Sequence, residues 1–449
     1  MLSEKEAKEI CDQILHRCGN DPAEIYLSAQ DSALTRFANN LIHQNVAESN
    51  LDLHLQIFLG TRRGMASTNR IEGTALDEMV RRARANAEAS PEDPDFPGLT
   101  EPSSYPQVNS FDRETAGTSP RQRAQQVGLV CRLAQEKGLN ASGAFSTGAK
   151  GLTVANSEGV FAYHLSSEAD FQTVVMDTES SGHAHSSGWK VSEIPVEELG
   201  REAIDKATRG RDPRKIEPGE YTVVLDPYVT QDLVSILNFH GMSARDVKDG
   251  RSWMNDRIGE QAMDLSVSIW DDGSDPRGLP TPFDVEGVPK RRTDIVSEGT
   301  VKGPVYDRYT AKQDGVTSSG HAIPRGLILG GNKPLALNLF MAPGRASTEE
   351  MIRSTERGLY ITRFWYTRLV HPRDCIVTGM TRDGVFMIED GELAYPVKNL
   401  RFTQSYVHAL QDIEMIGRET RLLTGAYGGT ALRVPALKIN RFNFTGVTV

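Results

Sequence analysis

Cysteine is scarce: Cys11, Cys18, Cys131 and Cys375 are the only four in 449 residues, and none forms a Cys-x-x-Cys pair. A chain this long with so few reads as a cytosolic protein rather than a disulfide scaffold. Cys11 and Cys18 fall on one expected helix, roughly 10 Å apart along its axis, too far for a bridge. No apolar run approaches the ~18 residues that a membrane span needs. The opening stretch, MLSEKEAKEICDQ, is acidic and amphipathic, unlike a secretory signal or an Arg-rich transit peptide. Positive charge is also in deficit, with 50 Lys and Arg against 60 Asp and Glu, a net charge of -10. That balance argues against broad electrostatic binding to nucleic acid or to an anionic membrane. A soluble, cytoplasmic protein is expected.

The common catalytic signatures are missing too. There is no Gly-x-Ser-x-Gly elbow, no His-Glu-x-x-His, and no Gly-Lys dipeptide from which a phosphate-binding loop could be built. No repeat and no low-complexity tract is visible. Gly330-Gly331 and the Gly425 to Gly429 stretch match no phosphate-binding spacing, and turns account for them better.

What is present is a soluble core, with 38% hydrophobic and 24% charged residues. The spacing of Ala7, Ile10, Ile14 and Leu15 predicts a helix over 3–18, ended by Gly19-Asn20. A strand follows at 23–29. Leu51, Leu53, Leu55, Ile57 and Leu59 alternate as in a half-buried strand, and the Gly60 to Gly64 loop leads into a hairpin with 65–68. A helix from about 74 to 89 closes the unit. Six of the 22 prolines fall between 91 and 120, so that stretch is a connector. Helices are expected at 121–137 and 195–208, around short strands and Gly/Ser turns from 141 to 189. Beyond 215, strand 221–225 leads into a helix capped by Asp226, with Pro227 at its first position and Gly241 at its end. Ser347 and Glu350 form a capping box for a helix over 347–357. The expected fold is α+β: an α/β domain over 1–90, a connector over 91–118, a central α/β domain over 119–215, and a β-rich, barrel- or sandwich-like domain over 216–449.

Chemistry is sparse. His183-Ala-His185 can place two imidazoles on one face of a strand, as a zinc or copper site would require. The Ser/Gly-rich context reads better as an exposed loop, with no carboxylate or thiolate nearby in sequence. Asp271-Asp272-Gly273, Asp383-Gly384 and Glu389-Asp390-Gly391 read as turns. Phe364, Trp365 and Tyr366 are expected to alternate across a strand, in core packing or an interface.

Several collinear blocks carry more information. They are Thr281-Pro-Phe-Asp-Val-Glu-Gly-Val-Pro-Lys-Arg-Arg292 with Asp294-Ile295 and Glu298-Gly299, then Tyr309-Thr-Ala-Lys312 and Thr317-Ser-Ser-Gly-His-Ala322. Pro343-Gly344, Glu350-Met-Ile352, Glu356-Arg-Gly-Leu-Tyr360, Ile388-Glu-Asp-Gly-Glu392 and Pro396-Val397 follow in order. In these blocks the chain resembles the TldD/PmbA family, a two-subunit metallopeptidase also described as a modulator of DNA gyrase. The resemblance implies that the zinc-bearing subunit carries His-Glu-x-x-x-His on the helix corresponding to 226–241, with a Cys ligand near the C-terminus. Aligned on His240, this chain has Ser235 in place of the first His and Ile236 in place of the Glu, and its last cysteine is Cys375. One potential ligand out of three, with no general base, cannot support zinc hydrolysis.

The chain therefore resembles the non-catalytic, TldE-type subunit. As such it would bind no cofactor itself, pair with a zinc-bearing TldD-like subunit, and help enclose unfolded or short peptides, without direct nucleic-acid or membrane contact. Thr317, Ser318, Ser319, Gly320 and His321, together with the strands around 377–387, are expected near the peptide groove. Two other readings remain at this point. One is a metallopeptidase in its own right, with His183, His185 and His240 as ligands. The other is a regulatory protein acting on gyrase or its inhibitors.

Overall fold

The computed structural model describes residues 1–324, 333–425 and 429–447. Gly330, Gly331 and part of the 425–429 stretch lie outside those residues.

The first half is built twice over. Helix α1 (Glu4–Cys18) precedes the meander β1 (Ala23–Ala38), β2 (Leu41–Leu59) and β3 (Arg62–Thr68), and α2 (Gly73–Ala89) covers it. After a one-turn helix α3 (Arg113–Ala116), the order recurs: α4 (Pro120–Glu136), then β4 (Asn140–Asn156), β5 (Phe161–Met176) and β6 (Ser181–Gly188), then α5 (Val196–Arg209). The two meanders join through antiparallel β1 and β4, giving one six-stranded sheet in the order β3-β2-β1-β4-β5-β6. Each outer strand meets its helix at a glycine. A Cβ built on Gly64 of β3 would stand 2.0 Å from the Ala83 carbonyl oxygen, and one on Gly182 of β6 would stand 2.1 Å from that of Ala203. In both helices a second buried alanine, Ala87 or Ala207, follows one turn later. The sequence hides this duplication because it is one of packing geometry, with little residue identity behind it.

Several expected boundaries move. β1 and β2 are longer than the 23–29 and 51–59 predictions because Asn39 and Asn40, both at positive φ (51° and 62°), make a two-residue hairpin turn. Much of β2 before Leu51 is exposed, so it lacks the apolar alternation that marks a strand. The hairpin into β3 turns at Gly60-Thr61, and Arg62–Gly64 already pair with β2. The Gly/Ser-rich stretch after 140 forms two long strands rather than short runs between turns: Gly143, Gly148 and Gly151 all lie inside β4.

Among the described residues the second half is a 13-stranded mixed sheet, and no sheet closes into a barrel. Its centre is β7 (Gly219–Leu225), followed by α6 (Pro227–Gly241) and α7 (Ala244–Lys248). Next come β8 (Ile269–Asp271), β9 (Thr293–Ser297), β10 (Thr300–Val301), α8 (Arg308–Asp314), β11 (Asn338–Met341), α9 (Thr348–Arg353) and β12 (Arg357–Ile361). The chain ends with β13 (Phe364–His371), β14 (Ile376–Thr381), β15 (Val385–Glu389), β16 (Glu392–Pro396), β17 (Leu400–Ser405), α10 (Tyr406–Gln411), β18 (Ile413–Thr424) and β19 (Ala431–Val447). β7 pairs parallel with β12 and antiparallel with β19. Helix α9 has the expected capping box but stops at Arg353, because Arg357 starts β12 beside β7. The three aromatics from Phe364 do not alternate. A bulge after Trp365 and a φ of 55° at Tyr366 leave Phe364 buried and both other rings exposed.

Helix α6 is wrapped on nearly all sides by the core of this half. Asp232, on its second turn, accepts hydrogen bonds from Tyr406 Oη and Thr367 Oγ1, both at 2.7 Å. Burial pushes the Asp232 carboxyl up to about 6, against the pull of those two hydroxyls.

Two outcomes are expected. Gly182→Ala forces a methyl into the α5 backbone and lowers stability by about 2–3 kcal/mol, read as a lower denaturation midpoint at unchanged slope. Asp232 holds its proton more tightly folded than unfolded, so its contribution to stability falls as pH rises from about 4 to about 6. The difference between wild-type and Asp232→Asn unfolding free energies, measured from pH 4 to 8, changes by roughly 2–3 kcal/mol across that window. A flat difference would exclude the raised carboxyl.

Candidate functional site

A cleft of about 750 Å³ lies between the first sheet, the connector and the C-terminal end of α6. The sheet presents Glu24 and Tyr26 from β1, His54, Gln56 and Phe58 from β2, and Met65 from β3. Alternation along β2 aims His54, Gln56 and Phe58 at this face while Leu53, Leu55 and Ile57 enter the core. The proline-rich connector is an ordered wall. Phe96 stacks on Phe58 at 4.2 Å, and the Arg308 guanidinium donates to the carbonyls of Pro97, Gly98 and Leu99. Thr100 Oγ1 and Tyr105 Oη donate to the carbonyls of Glu286 and Gly287, joining the connector to the second half.

The Thr281–Arg292 block builds the floor. Asp284 accepts from the backbone N–H groups of Glu286, Val288 and Ala322. Burial raises its carboxyl above the ordinary range. Glu286 accepts from Arg308 N–H at 3.0 Å. Burial first, then the neighbouring Asp284, Glu24 and Asp307 carboxylates, hold Glu286 well above the ordinary range, which favours its protonated form. His240, at the end of α6, is pulled down to about 4 by burial and by the Lys333 ammonium. Lys333 itself donates to the Phe239 carbonyl at 2.5 Å and to Asp246 at 2.6 Å. The helix C-terminus is therefore served by Lys333 and the imidazole is neutral, contrary to a charged His240 facing the dipole. Sequence reasoning missed Glu24, Tyr26, His54, Asp284, Glu286 and Arg308 as one site. The Asp284-x-Glu286-Gly turn was a signal, but Glu24, Tyr26 and His54, which face it, lie more than 200 positions away.

The expected groove loop sits behind this wall. His321 is fully buried, with Nε2 3.1 Å from Asp271 Oδ2 and Nδ1 2.9 Å from Ser319 Oγ. Ser319 Oγ also accepts from Tyr306 N–H at 2.7 Å, and Ser318 Oγ donates to the Tyr306 carbonyl. Gly320 is buried and Thr317 is exposed. Ala322 and Ile323 line the cleft, whereas Thr317 to His321 do not. The Ser-His-Asp chain is thus a structural clamp: its hydroxyl is held by backbone, and no cavity opens on it. Val377 and Met387 are core residues of β14 and β15.

His183 and His185 are buried on β6, so the exposed-loop reading is corrected. The carboxylate absent from nearby sequence is Asp170 on the paired strand, 2.7 Å from His185 Nε2, and it also accepts from Ser187 and Thr424 hydroxyls. His183 Nδ1 has no hydrogen-bond partner. Burial, then Arg363, His185, Lys206 and Arg421, keep that ring neutral, in surroundings that repel a metal cation. Its ring lies 5.0 Å from that of Tyr228, at the start of α6. Tyr228 and His240 are 12 residues apart, about 18 Å along the helix, so the three histidines cannot share one metal ion.

The zinc position implied by the resemblance does not fit a metal. Ser235 is buried with an unpartnered Oγ, and Ile236 is 1% exposed in the core. The loop after β18 approaches here with Gly425, where a Cβ would stand 3.5 Å from Ser235 Oγ. Burial pushes the Cys375 thiol up to about 12, with Asp232 adding to it, which makes it a poor ligand. Among the described residues no cluster of three or more His, Cys, Asp or Glu has metal-binding geometry.

Residues 218–446 match the PmbA/TldA metallopeptidase C-terminal domain, and residues 23–87 match PmbA/TldA metallopeptidase domain 1. The metalloprotease PmbA of Escherichia coli is 25% identical over 443 residues, covering 94% of this chain and 92% of that protein. A metalloprotease of Methanothermobacter thermautotrophicus is 27% identical over 242 residues, 54% of this chain. The chain spans about half the length of that relative and of a second archaeal metalloprotease, 52% in each case. The crystal structure of TldE from Thermococcus kodakarensis has the same fold, with a TM-score of 0.86 over 99% of this chain and all of that one, at 19% identity. With half of its length matched by the C-terminal domain and its first meander by domain 1, the chain belongs to the PmbA/TldD family of metallopeptidases.

Proposed function

We propose that this chain is the non-catalytic, TldE-type subunit of a heterodimeric zinc metallopeptidase that processes unfolded or short peptides in the cytoplasm. The observation that carries the reading is α6, where Ser235, Ile236 and a lone neutral His240 stand in place of two ligands and a base. In this reading a TldD-like partner supplies the zinc and the group that deprotonates its water. This chain contributes the cleft.

The chemistry of the lining suits a peptide. An extended backbone offers neutral donors and acceptors in alternation. The groups facing it are held neutral as well: Glu286 by burial and like charges, His240 by burial and Lys333, and His54 by burial. A neutral carboxyl donates a hydrogen bond to a peptide carbonyl without the desolvation cost of an ion. Phe58, Phe96, Tyr26 and Ile323 supply apolar contact for side chains, as in other ligand clefts.

Two measurements test this. The purified chain alone contains close to zero zinc by elemental mass spectrometry and gains peptidase activity only with its partner. About one zinc per chain, as a catalytic site holds, would overturn the proposal. Glu286→Gln leaves peptide turnover by the two-chain complex within about threefold, because an amide replaces an already neutral acid. A loss of two orders of magnitude would mean that the ionised carboxylate does the work.

A further inference from the structure

A second cleft, about 640 Å³, lies on another face of the molecule, between the two halves. One wall is the end of β6 with the start of α5. The other is the Pro276–Gly278 turn with the β18–β19 pair. Four cations line it, and three have carboxylate partners: Lys190 with Glu193, Arg277 with Asp275, and Arg421 with Glu202. Arg433, on β19, is the exception. Its Nε donates to the Arg277 carbonyl at 2.7 Å and its Nη1 to Thr420 Oγ1 at 3.2 Å. No carboxylate of the described residues forms an ion pair with it. Burial and the adjacent Arg277 guanidinium oppose its charge, and the nearby Asp275 and Glu193 carboxylates offset them in part without touching it.

A half-buried guanidinium with no carboxylate in contact is under-compensated. Two of its five N–H donors are used on neutral oxygens, which fixes the plane of the fork and leaves three donors free. We propose that this cleft is a second ligand site, where Arg433 takes the carboxylate of a small molecule such as the C-terminus of a short peptide.

The neighbours narrow the ligand. Glu193, Glu198 and Glu202, with Asp275 behind Arg277, balance the four cations, so the surroundings favour a singly charged ligand over a dianion such as phosphate. Planar carboxylates match the guanidinium edge with two parallel hydrogen bonds. Trp189, fixed by Nε1 to the Pro276 carbonyl at 2.9 Å, and the buried Leu199 and Leu422 provide apolar surface for the rest of the ligand. The site shares no lining residue with the larger cleft and does not depend on the peptidase reading.

The test is calorimetric titration of the full chain with an N-acetylated dipeptide ending in leucine, as free acid and as C-terminal amide, and with inorganic phosphate. The acid binds, the amide binds at least about tenfold more weakly, and phosphate does not compete. Arg433→Met abolishes acid binding. Thr420→Val, which only loosens the fork, weakens it several-fold and serves if the first variant fails to fold. Equal binding of acid and amide, no binding of the acid, competition by phosphate, or retained affinity in the folded Arg433→Met or Thr420→Val chain would each overturn the proposal.

Discussion

The two halves are joined through one buried ionic knot at the start of α6. Lys206, on α5, sends its ammonium to Glu202 Oε1 at 2.7 Å and to Asp226 Oδ2 at 3.2 Å, and is 7% exposed. Burial alone would pull its charge off, but Asp226 and Glu202 hold its pKa above the ordinary value. Arg421 closes the knot from β18, against Glu202 at 2.8 Å and the Tyr228 hydroxyl. Tyr360 Oη donates to the same Asp226 oxygen at 2.9 Å. Such a cluster adds little net stability over an apolar core of equal volume, yet removing one member leaves the others buried and uncompensated. Its value is registry, since only one docking of the two halves satisfies all of these groups.

Asp226 is the pivot because it serves two masters. It is the N-cap of α6, accepting from Tyr228 N–H, and it is also a counter-ion for the first half's Lys206. The start of the helix is thereby fixed to the first sheet, and a rigid 15-residue helix carries that constraint to His240 at the other end. The larger cleft opens there, and its far wall is again the first sheet. The connector completes the circuit through Arg308, Thr100 and Tyr105. The cleft is thus held from both sides by the domain pairing that the knot specifies.

Much of this was legible in the sequence where the signal is local. The α6 cap, its Pro227 and its end at Gly241 follow from short-range chemistry, as do the capping boxes at Ser3, Ser119 and Ser347. The α+β order and the family resemblance also held. What stayed hidden depends on distant pairing. His183-Ala-His185 looks like loop until β5 brings Asp170 beside it. The glycines of β4 look like turns until the close approach of β1 and β5 explains them, as with Gly143 against the Gln172 carbonyl oxygen. Glu286 gains its chemistry from Glu24, 262 positions earlier, and no local pattern encodes that meeting.

The loss of the zinc constellation also reaches deeper than two substitutions. Ile236 is packed among the residues of the main core, together with Leu233, Leu237 and Trp253. A glutamate there would have to ionise inside hydrocarbon, at a cost of several kcal/mol, and its pKa would rise until it no longer served as a base at neutral pH. Ser235 is likewise enclosed, its hydroxyl without a partner and Gly425 close above it. Histidine is much larger than that space allows. Helix α6 is therefore a core helix at these two positions. Placing metal ligands on α6 would also require the packing around Ser235 and Ile236 to change.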